Sequence, residues 1–426
     1  MGQVRTPRPH LYVVPGDGCG AKLRSVRARG NKRFARPVAG PYAAQINLAS
    51  PTRGEIVKTK AAVLTEVNQP WEIMEVDLRE PKGNEVLIRY VAAGLCHSDE
   101  HLVTGDLPAP LPYIGGHEGA GIVEAIGPGV SRVAVGDHVV CAFIPSCGHC
   151  RWCASGQQSI CDLGATILEG CLPDGSYAFT IDGQNVGAMC MLGTFAQHSV
   201  VSETSAVKID DDLPLEIAVL CGCGVPTGWG SAVNTGNTQI GDTVVVFGIG
   251  GIGANAVQGA AHAGATNIIA VDPLDLKREF AQEMGATHAA QTGAEAGELA
   301  RELTRGVGAD VAIVTVDVVS EQVVQEAAAA IRKGGVLVLT GLAHPEALTV
   351  HLSGADLTLN RKQVRGSLFG DCNPTQDIKK MLALYRSGKL KLDELVTTRY
   401  SLDQINDGYA DLEAGKNIRG VIVHEH

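Results

Sequence analysis

Between Ala93 and Glu118 the stretch AGLCHSDEHLVTGDLPAPLPYIGGHE gathers a thiol, imidazoles, a hydroxyl and carboxylates within one short span. Cys96 and His117 are the candidate metal ligands. A soft thiolate with a neutral imidazole suits Zn²⁺, and a catalytic zinc takes three protein ligands while a fourth position stays open for water or substrate. The third ligand must therefore come from elsewhere in the chain. Ser98 stands where it could cap a helix, and His101, three residues on, would share its face, which offers a path for a proton.

A second group is Cys147, Cys150, Cys153 and Cys161, spaced C-x2-C-x2-C-x7-C. Four thiolates this close fit one tetrahedral zinc with no open position, a structural site that ties down a loop. An iron–sulfur cluster and plain core cysteines are the rivals. Asp162 after Cys161 and the long last spacing depart from the ferredoxin run.

The third signal is TVVVFGIGGIGA from Thr243, a G-x-G-x-x-G run set by Gly248, Gly250 and Gly253. A β-branched strand precedes it, an Ala-rich helix follows, and Asp272 ends the next strand 19 residues after Gly253, as the dinucleotide fingerprint requires. The glycines let a pyrophosphate approach the helix N-terminus, where unpaired N–H groups favour anions. Asp272 would accept ribose hydroxyls and repel a 2′-phosphate, favouring NAD over NADP, while Lys277 and Arg278 close by work against that repulsion. Of the remaining cysteines, Cys221 and Cys223 precede the cofactor stretch and either could be the missing ligand. Cys19, Cys141, Cys171, Cys190 and Cys372 read as inert buried thiols, and His138, His198 and His288 as ordinary histidines.

The elements that must position these groups follow from pattern. At 426 residues the chain has room for two domains. Residues 1–54, with PRP, PGDG and RARG, carry neither hydrophobic period and read as a disordered extension, with translation expected to begin naturally at Val57. Short alternating strands such as Glu85 to Val91 and Gly121 to Ala125 mark a β-rich domain over 55–224. From Val225 to 366 the rhythm becomes strand, turn, helix, hence a parallel sheet, and 367–426 returns to the first domain, with a helix near Gln376 to Arg386 and a last strand at Gly420 to Val423. Val244 to Val271 carries no charge, yet its glycines with Asn255, Gln258 and His262 read as strand, turn, helix and strand rather than a membrane span.

Charge narrows the partners. Residues 1–53 hold ten Lys or Arg and one acid, giving +9, while the rest holds 25 bases and 45 acids, giving −20. The acidic body argues against nucleic acid or an anionic membrane. Twelve cysteines at metal-ligand spacings, without a secretory signal, point to a reducing cytoplasm.

With Cys96, GHE at 116–118, the four-cysteine lobe and the Gly-rich turn in this order, the chain from about Lys58 onward resembles the zinc-dependent medium-chain alcohol dehydrogenases. The Cys2His ligand set of alcohol dehydrogenase is a known example of a catalytic zinc site. The resemblance implies an α/β fold: a GroES-like catalytic domain and a Rossmann domain with a doubly wound parallel sheet. By the pattern CGxxxxxG it makes Cys223 the third ligand. Glu118 and Asp99 become acidic partners that orient the ligands, and Ser98 and His101 a proton relay by way of a ribose hydroxyl. His97 stands where many members carry an Arg against the pyrophosphate, and Arg419 resembles a second such contact. Thr227 and Ile252 pack the nicotinamide, with Gly251 and Lys277 in the same cofactor set, and Phe143 and Leu342 fall in an apolar substrate pocket. SICDLGATILEGCLPDG, MCMLGTF and CGVPTGWGSAV resemble the nicotinoprotein subgroup, which keeps NAD(H) bound and passes reducing equivalents to a second substrate or acceptor. The expected activity is reversible oxidation of a primary alcohol to an aldehyde, with two zinc ions per chain and NAD, in a homo-oligomer. The rivals are a formaldehyde dehydrogenase acting on a thiol adduct and a non-catalytic zinc protein of the same fold.

Overall fold

The computed structural model describes residues 57–342 and 350–426. The expected extension over 1–54, with Cys19, lies outside the described residues. Two bodies of strands carry the rest. The first centres on Glu85–Gly94, EVLIRYVAAG, whose residues are nearly all buried because it pairs antiparallel with three neighbours, Gly119–Ile126, His198–Ser202 and Arg419–Val423. His138–Cys141, Ala206–Lys208 and Val396–Tyr400 complete this seven-stranded sheet. A closed barrel of Val57–Leu64, Glu72–Leu78, Phe179–Ile181, Gln184–Ala188 and Tyr113–Ile114 leaves none of its strands with a bare edge.

Register does the positioning. Ala93 faces Gly119 and Gly94 faces Val421, so Cys96, which follows the central strand, His117 and Glu118, which precede one neighbour, and Arg419, which opens the other, emerge at one end of the sheet. Gly94 is there for space: a Cβ on it would stand 2.1 Å from Glu118 Oε2.

The second body is a six-stranded parallel sheet in the order His288–Ala290, Asn267–Val271, Thr243–Phe247, Ala309–Val314, Ile331–Leu339 and Gln363–Gly366. Numbered along the chain this is 3-2-1-4-5-6, the order that opens a crevice beyond the carboxyl ends of the first and fourth strands. The uncharged stretch resolves into strand Thr243–Phe247, helix Gly251–Ala263 and strand Asn267–Val271, and no described helix is long and apolar enough to cross a membrane. One hydrophobic cluster runs through both bodies, with Ala92, Val140 and Val421 from the first sheet, Val244 and Val246 from the second and Trp229 between. The late helix begins at Pro374, where proline's missing N–H costs no hydrogen bond.

Candidate functional site

Cys96, His117, Glu118 and Cys223 each place one ligand atom within 4.8 Å of all the others. Cys96 ends an extended segment and is the N-cap of helix His97–Thr104. The expectation that Ser98 caps this helix is corrected: Ser98 is its second residue and no side chain caps it, because the chain turns two residues earlier, with Asp99 N–H donating to the Cys96 carbonyl at 3.1 Å. Ser98 Oγ instead lies 3.7 Å from Cys96 Sγ. Cys223 arrives from the other direction, as N-cap of helix Gly224–Gly230. Cys221, the other candidate, is buried outside the group, and burial pushes its thiol up.

The surroundings fit a divalent cation. A hydrogen bond from the Cys223 thiol holds Cys96 well below the usual thiol range and pushes Cys223 above it, so the two sulfurs share one proton that a metal ion would replace. Asp99, fully buried, accepts from Gly116 N–H at 2.7 Å and sets its other oxygen 3.1 Å from His117 Nδ1, which leaves Nε2 for a cation. Burial draws His117 down, but Asp99 and Cys96 outweigh it and its pKa lies well above the ordinary imidazole value. Glu118, expected to orient the ligands, also places an oxygen within 4.8 Å of the other three ligand atoms. One of its oxygens pairs with Arg419 and the other is buried with no hydrogen-bond partner among the described residues. Burial pushes its carboxyl up against the pull of the guanidinium.

Arg419 links this centre to the glycine turn. Buried beside Glu118, its side chain also runs along Gly251, where a Cβ would stand 2.3 Å from Arg419 Cδ. Gly248 turns with φ 85°, Gly253 sits so close that a Cβ would meet Gly248 O at 1.9 Å, and a Cβ on Gly250 would meet nothing within 4 Å, leaving room for a pyrophosphate. Asp272 accepts from Ile249 N–H at 2.8 Å and Leu274 N–H at 3.0 Å, which pins its carboxylate beside the turn. Lys277 is buried with Nζ 3.2 Å from the Asn417 carbonyl, and burial lowers its pKa. Arg278 donates to the Asp272 carbonyl and pairs with Asp275.

Both ends open into one cleft of about 810 Å³, whose walls include His97, Thr227, Ile252, Phe143 and Leu342, all singled out in the sequence. Thr227 is held by donating to the Cys223 carbonyl at 2.7 Å, and Phe143 packs edge-on against His117 and Phe369 at 5.8 and 5.3 Å between ring centroids. Leu107, Ile167 and Met189 complete the apolar wall. So does Cys190, read from the sequence as an inert core thiol: burial pushes it to about 12, so it presents a neutral, apolar sulfur. Leu107 and Ile167 come from separate loops and Met189 and Cys190 from one turn, Met189–Met191; the last three lie in the stretches SICDLGATILEGCLPDG and MCMLGTF, but nothing in their residue types or spacing marked them as wall residues. Two acids near His101 were missed for the same reason. Its Nδ1 lies 3.5 Å from Asp106 and its Nε2 3.4 Å from Asp317.

The four-cysteine lobe closes on itself. All four sulfurs lie within 4.8 Å of one another, and backbone N–H groups of Cys147, Cys150 and Cys153 donate to the sulfurs of Cys161, Cys147 and Cys150 at 3.2–3.4 Å. The backbone amides of Asp162 and Cys153 hold the Cys150 thiol down, to about 6. Arg132 steadies the lobe from outside through the carbonyls of Ser146 and Cys147 at 2.7 and 2.8 Å.

Residues 82–211 match the model of the alcohol dehydrogenase GroES-like domain, and residues 251–387 that of the zinc-binding dehydrogenases. The NDMA-dependent alcohol dehydrogenase of Amycolatopsis methanolica is 60% identical over 368 residues, covering 86% of this chain and 99% of that one. Among solved structures, the alcohol dehydrogenase zinc-binding domain protein of Burkholderia ambifaria superposes with a TM-score of 0.82 at 33% identity, covering 87% of this chain and 100% of the other. Benzyl alcohol dehydrogenase of Acinetobacter calcoaceticus superposes with a TM-score of 0.80 at 31% identity, with the same coverage.

Proposed function

From the premise that this chain belongs to the zinc-binding alcohol dehydrogenase family, we propose that it oxidises primary alcohols to aldehydes, reversibly, with two zinc ions per chain and NAD. The observation that carries this reading is the meeting of Cys96, His117 and Cys223 in a cleft that also holds the Gly248 to Gly253 turn. When bound, zinc supplies Lewis acidity to a substrate oxygen and NAD accepts a hydride. The chain's own residues do the rest. Cys96, His117 and Cys223 hold the metal, and Asp99 keeps His117 in the tautomer that presents Nε2. Ser98 takes the hydroxyl proton and His101 delivers it to water. Phe143, Leu342 and the loop residues beside them exclude water from an apolar substrate. Thr227 and Ile252 position the nicotinamide, His97 and Arg419 face the pyrophosphate, and Asp272 with Lys277 receives the adenosine ribose. Cys147, Cys150, Cys153 and Cys161 hold the second zinc as a structural tie.

The relative named for its NDMA dependence supports a finer reading, in which NAD(H) stays bound and electrons leave to a second substrate or acceptor. A homo-oligomer is supported by strand Gln363–Gly366, which is largely exposed and pairs only with Ile331–Leu339 among the described residues. A reducing cytoplasm is supported by the described cysteines, all of them free thiols.

The test is to measure zinc per chain and the nucleotide released on denaturation, then turnover of primary alcohols with an artificial acceptor, with and without added NAD. Two zinc ions and turnover are expected. Protein loaded with zinc and NAD that oxidises no primary alcohol overturns the reading, and dialysed protein without nucleotide overturns the retention of NAD alone.

A further inference from the structure

We propose that Asp317 is a positioning residue for His101: reaching from the parallel sheet across the cleft, it fixes the imidazole in the orientation in which it receives the outgoing proton. This rests on the reading of His101 as the end of the relay. His101 belongs to helix His97–Thr104, on the wall that carries the metal ligands, whereas Asp317 follows strand Ala309–Val314 on the opposite wall. The neighbouring Val316 backbone stands 3.0 Å from where a Gly248 Cβ would be, so Asp317 is set by the same close packing that shapes the nucleotide turn.

Each ring nitrogen of His101 faces a carboxylate, Nε2 to Asp317 at 3.4 Å and Nδ1 to Asp106 at 3.5 Å. Asp106 is itself held by a hydrogen bond from Thr104 Oγ1 at 2.7 Å. The imidazole is mostly buried, with 12% of its side chain exposed against 45% for Asp317, so the ring cannot turn without losing both partners. His97 and Glu100, on the helix of His101, and Cys96 at its N-cap also act on this pair. Asp317 is the largest influence on His101; it outweighs burial and, with Asp106, raises the imidazole's pKa. A proton acceptor must be neutral, so alcohol oxidation gains its base only as pH rises through that raised value. Asp106 alone would leave the ring held from its own side. With Asp317 the relay is complete only when the walls of the cleft stand together.

The experiment compares pH profiles of kcat/KM for alcohol oxidation by the zinc- and NAD-loaded enzyme as wild type, Asp317→Asn, Asp317→Glu, His101→Gln and the double variant Asp317→Asn with His101→Gln. Asp317→Asn is expected to move the acidic limb to lower pH and to lower the plateau about tenfold, a fraction of the ~10²–10⁴ that general acid–base catalysis supplies. Asp317→Glu restores most of both, and Asp317→Asn adds nothing once His101 is gone. If Asp317→Asn leaves limb and plateau unchanged, or costs as much in the His101→Gln background, the inference falls while the relay stands. If His101→Gln itself matches wild type, the relay reading falls first.

Discussion

Gly250 and Gly253 belong to one motif, yet replacing each by alanine should fail in a different way. Gly250 has φ −94°, open to any residue, and a Cβ there meets no protein atom within 4 Å. The folded protein should accept Gly250→Ala with its thermal midpoint unchanged, because the methyl group enters only the space left for the pyrophosphate. Forcing one methyl into a close-packed contact costs ~1–3 kcal/mol, which weakens NAD binding by about 5- to 150-fold. Gly253→Ala puts its Cβ 1.9 Å from Gly248 O, where ordinary contact begins at 3.4 Å, so one backbone segment must retreat by about 1.5 Å. That strain falls on the protein itself, and this variant should lose stability as well as cofactor. The assay is nucleotide released on denaturation after exhaustive dialysis, followed by titration with NAD, beside thermal unfolding of the same samples. A Gly250→Ala protein that binds NAD like wild type, or two variants that lose stability equally, would refute the assignment of the turn.

Three further outcomes test other parts of the site. Ser98→Ala should lower turnover by ~10²–10⁴ while both zinc ions stay bound, as metal analysis beside steady-state kinetics will show; wild-type rates would remove the relay. Arg419→Met strips a buried carboxylate of its partner and should cost ~3–5 kcal/mol in chemical denaturation, most of it recovered by adding Glu118→Gln; loss without recovery would mean that Arg419 serves packing rather than charge. His424 is buried, its Nε2 3.0 Å from the Thr194 carbonyl, and burial lowers its pKa to about 4. The unfolded chain therefore takes up a proton that the native state refuses, so stability is whole above pH ~6.5 and drains as pH falls toward 4, by about 3 kcal/mol at the limit. His424→Gln should flatten that slope in urea titrations between those pH values, and an unchanged slope would assign it elsewhere.

What could be read in the sequence was what spacing encodes. The four lobe cysteines lie within fifteen residues and the glycine run within six, so local geometry alone brings each set together. Strand Thr243–Phe247 and helix Gly251–Ala263 were legible because a fully buried β-branched run and an Ala-rich stretch have one comfortable structure each. Strand Val396–Tyr400 was not, since VTTRY exposes its middle and, among the described residues, pairs in parallel only with the last strand. The pairing of Glu118 with Arg419 was also hidden, because 301 residues separate them and only sheet register brings them side by side. The same applies to Asp317, whose position after a strand fixes where it points while its identity carries no pattern.

Charge explains why these distant residues must meet. Cys96, Cys223, Asp99 and Glu118 are all groups whose charged form is negative, all are at least 94% buried, and Arg419 is the one guanidinium among them. Burying an unpaired charge costs several kcal/mol even after relaxation, and without a metal the buried anions are offset by the one proton that the two thiols share and by His117, whose pKa is held above the ordinary imidazole value. A divalent ion bound between the sulfurs would take the place of both protons, the one the thiols share and the one on His117, which is then neutral and gives its nitrogen to the metal. The glycine at 94 that admits Glu118, the register that delivers Arg419 and the carboxylate that aims His117 are thus answers to one electrostatic problem. A cation at the mouth of the cleft, where a substrate oxygen would meet it, solves that problem without those two protons.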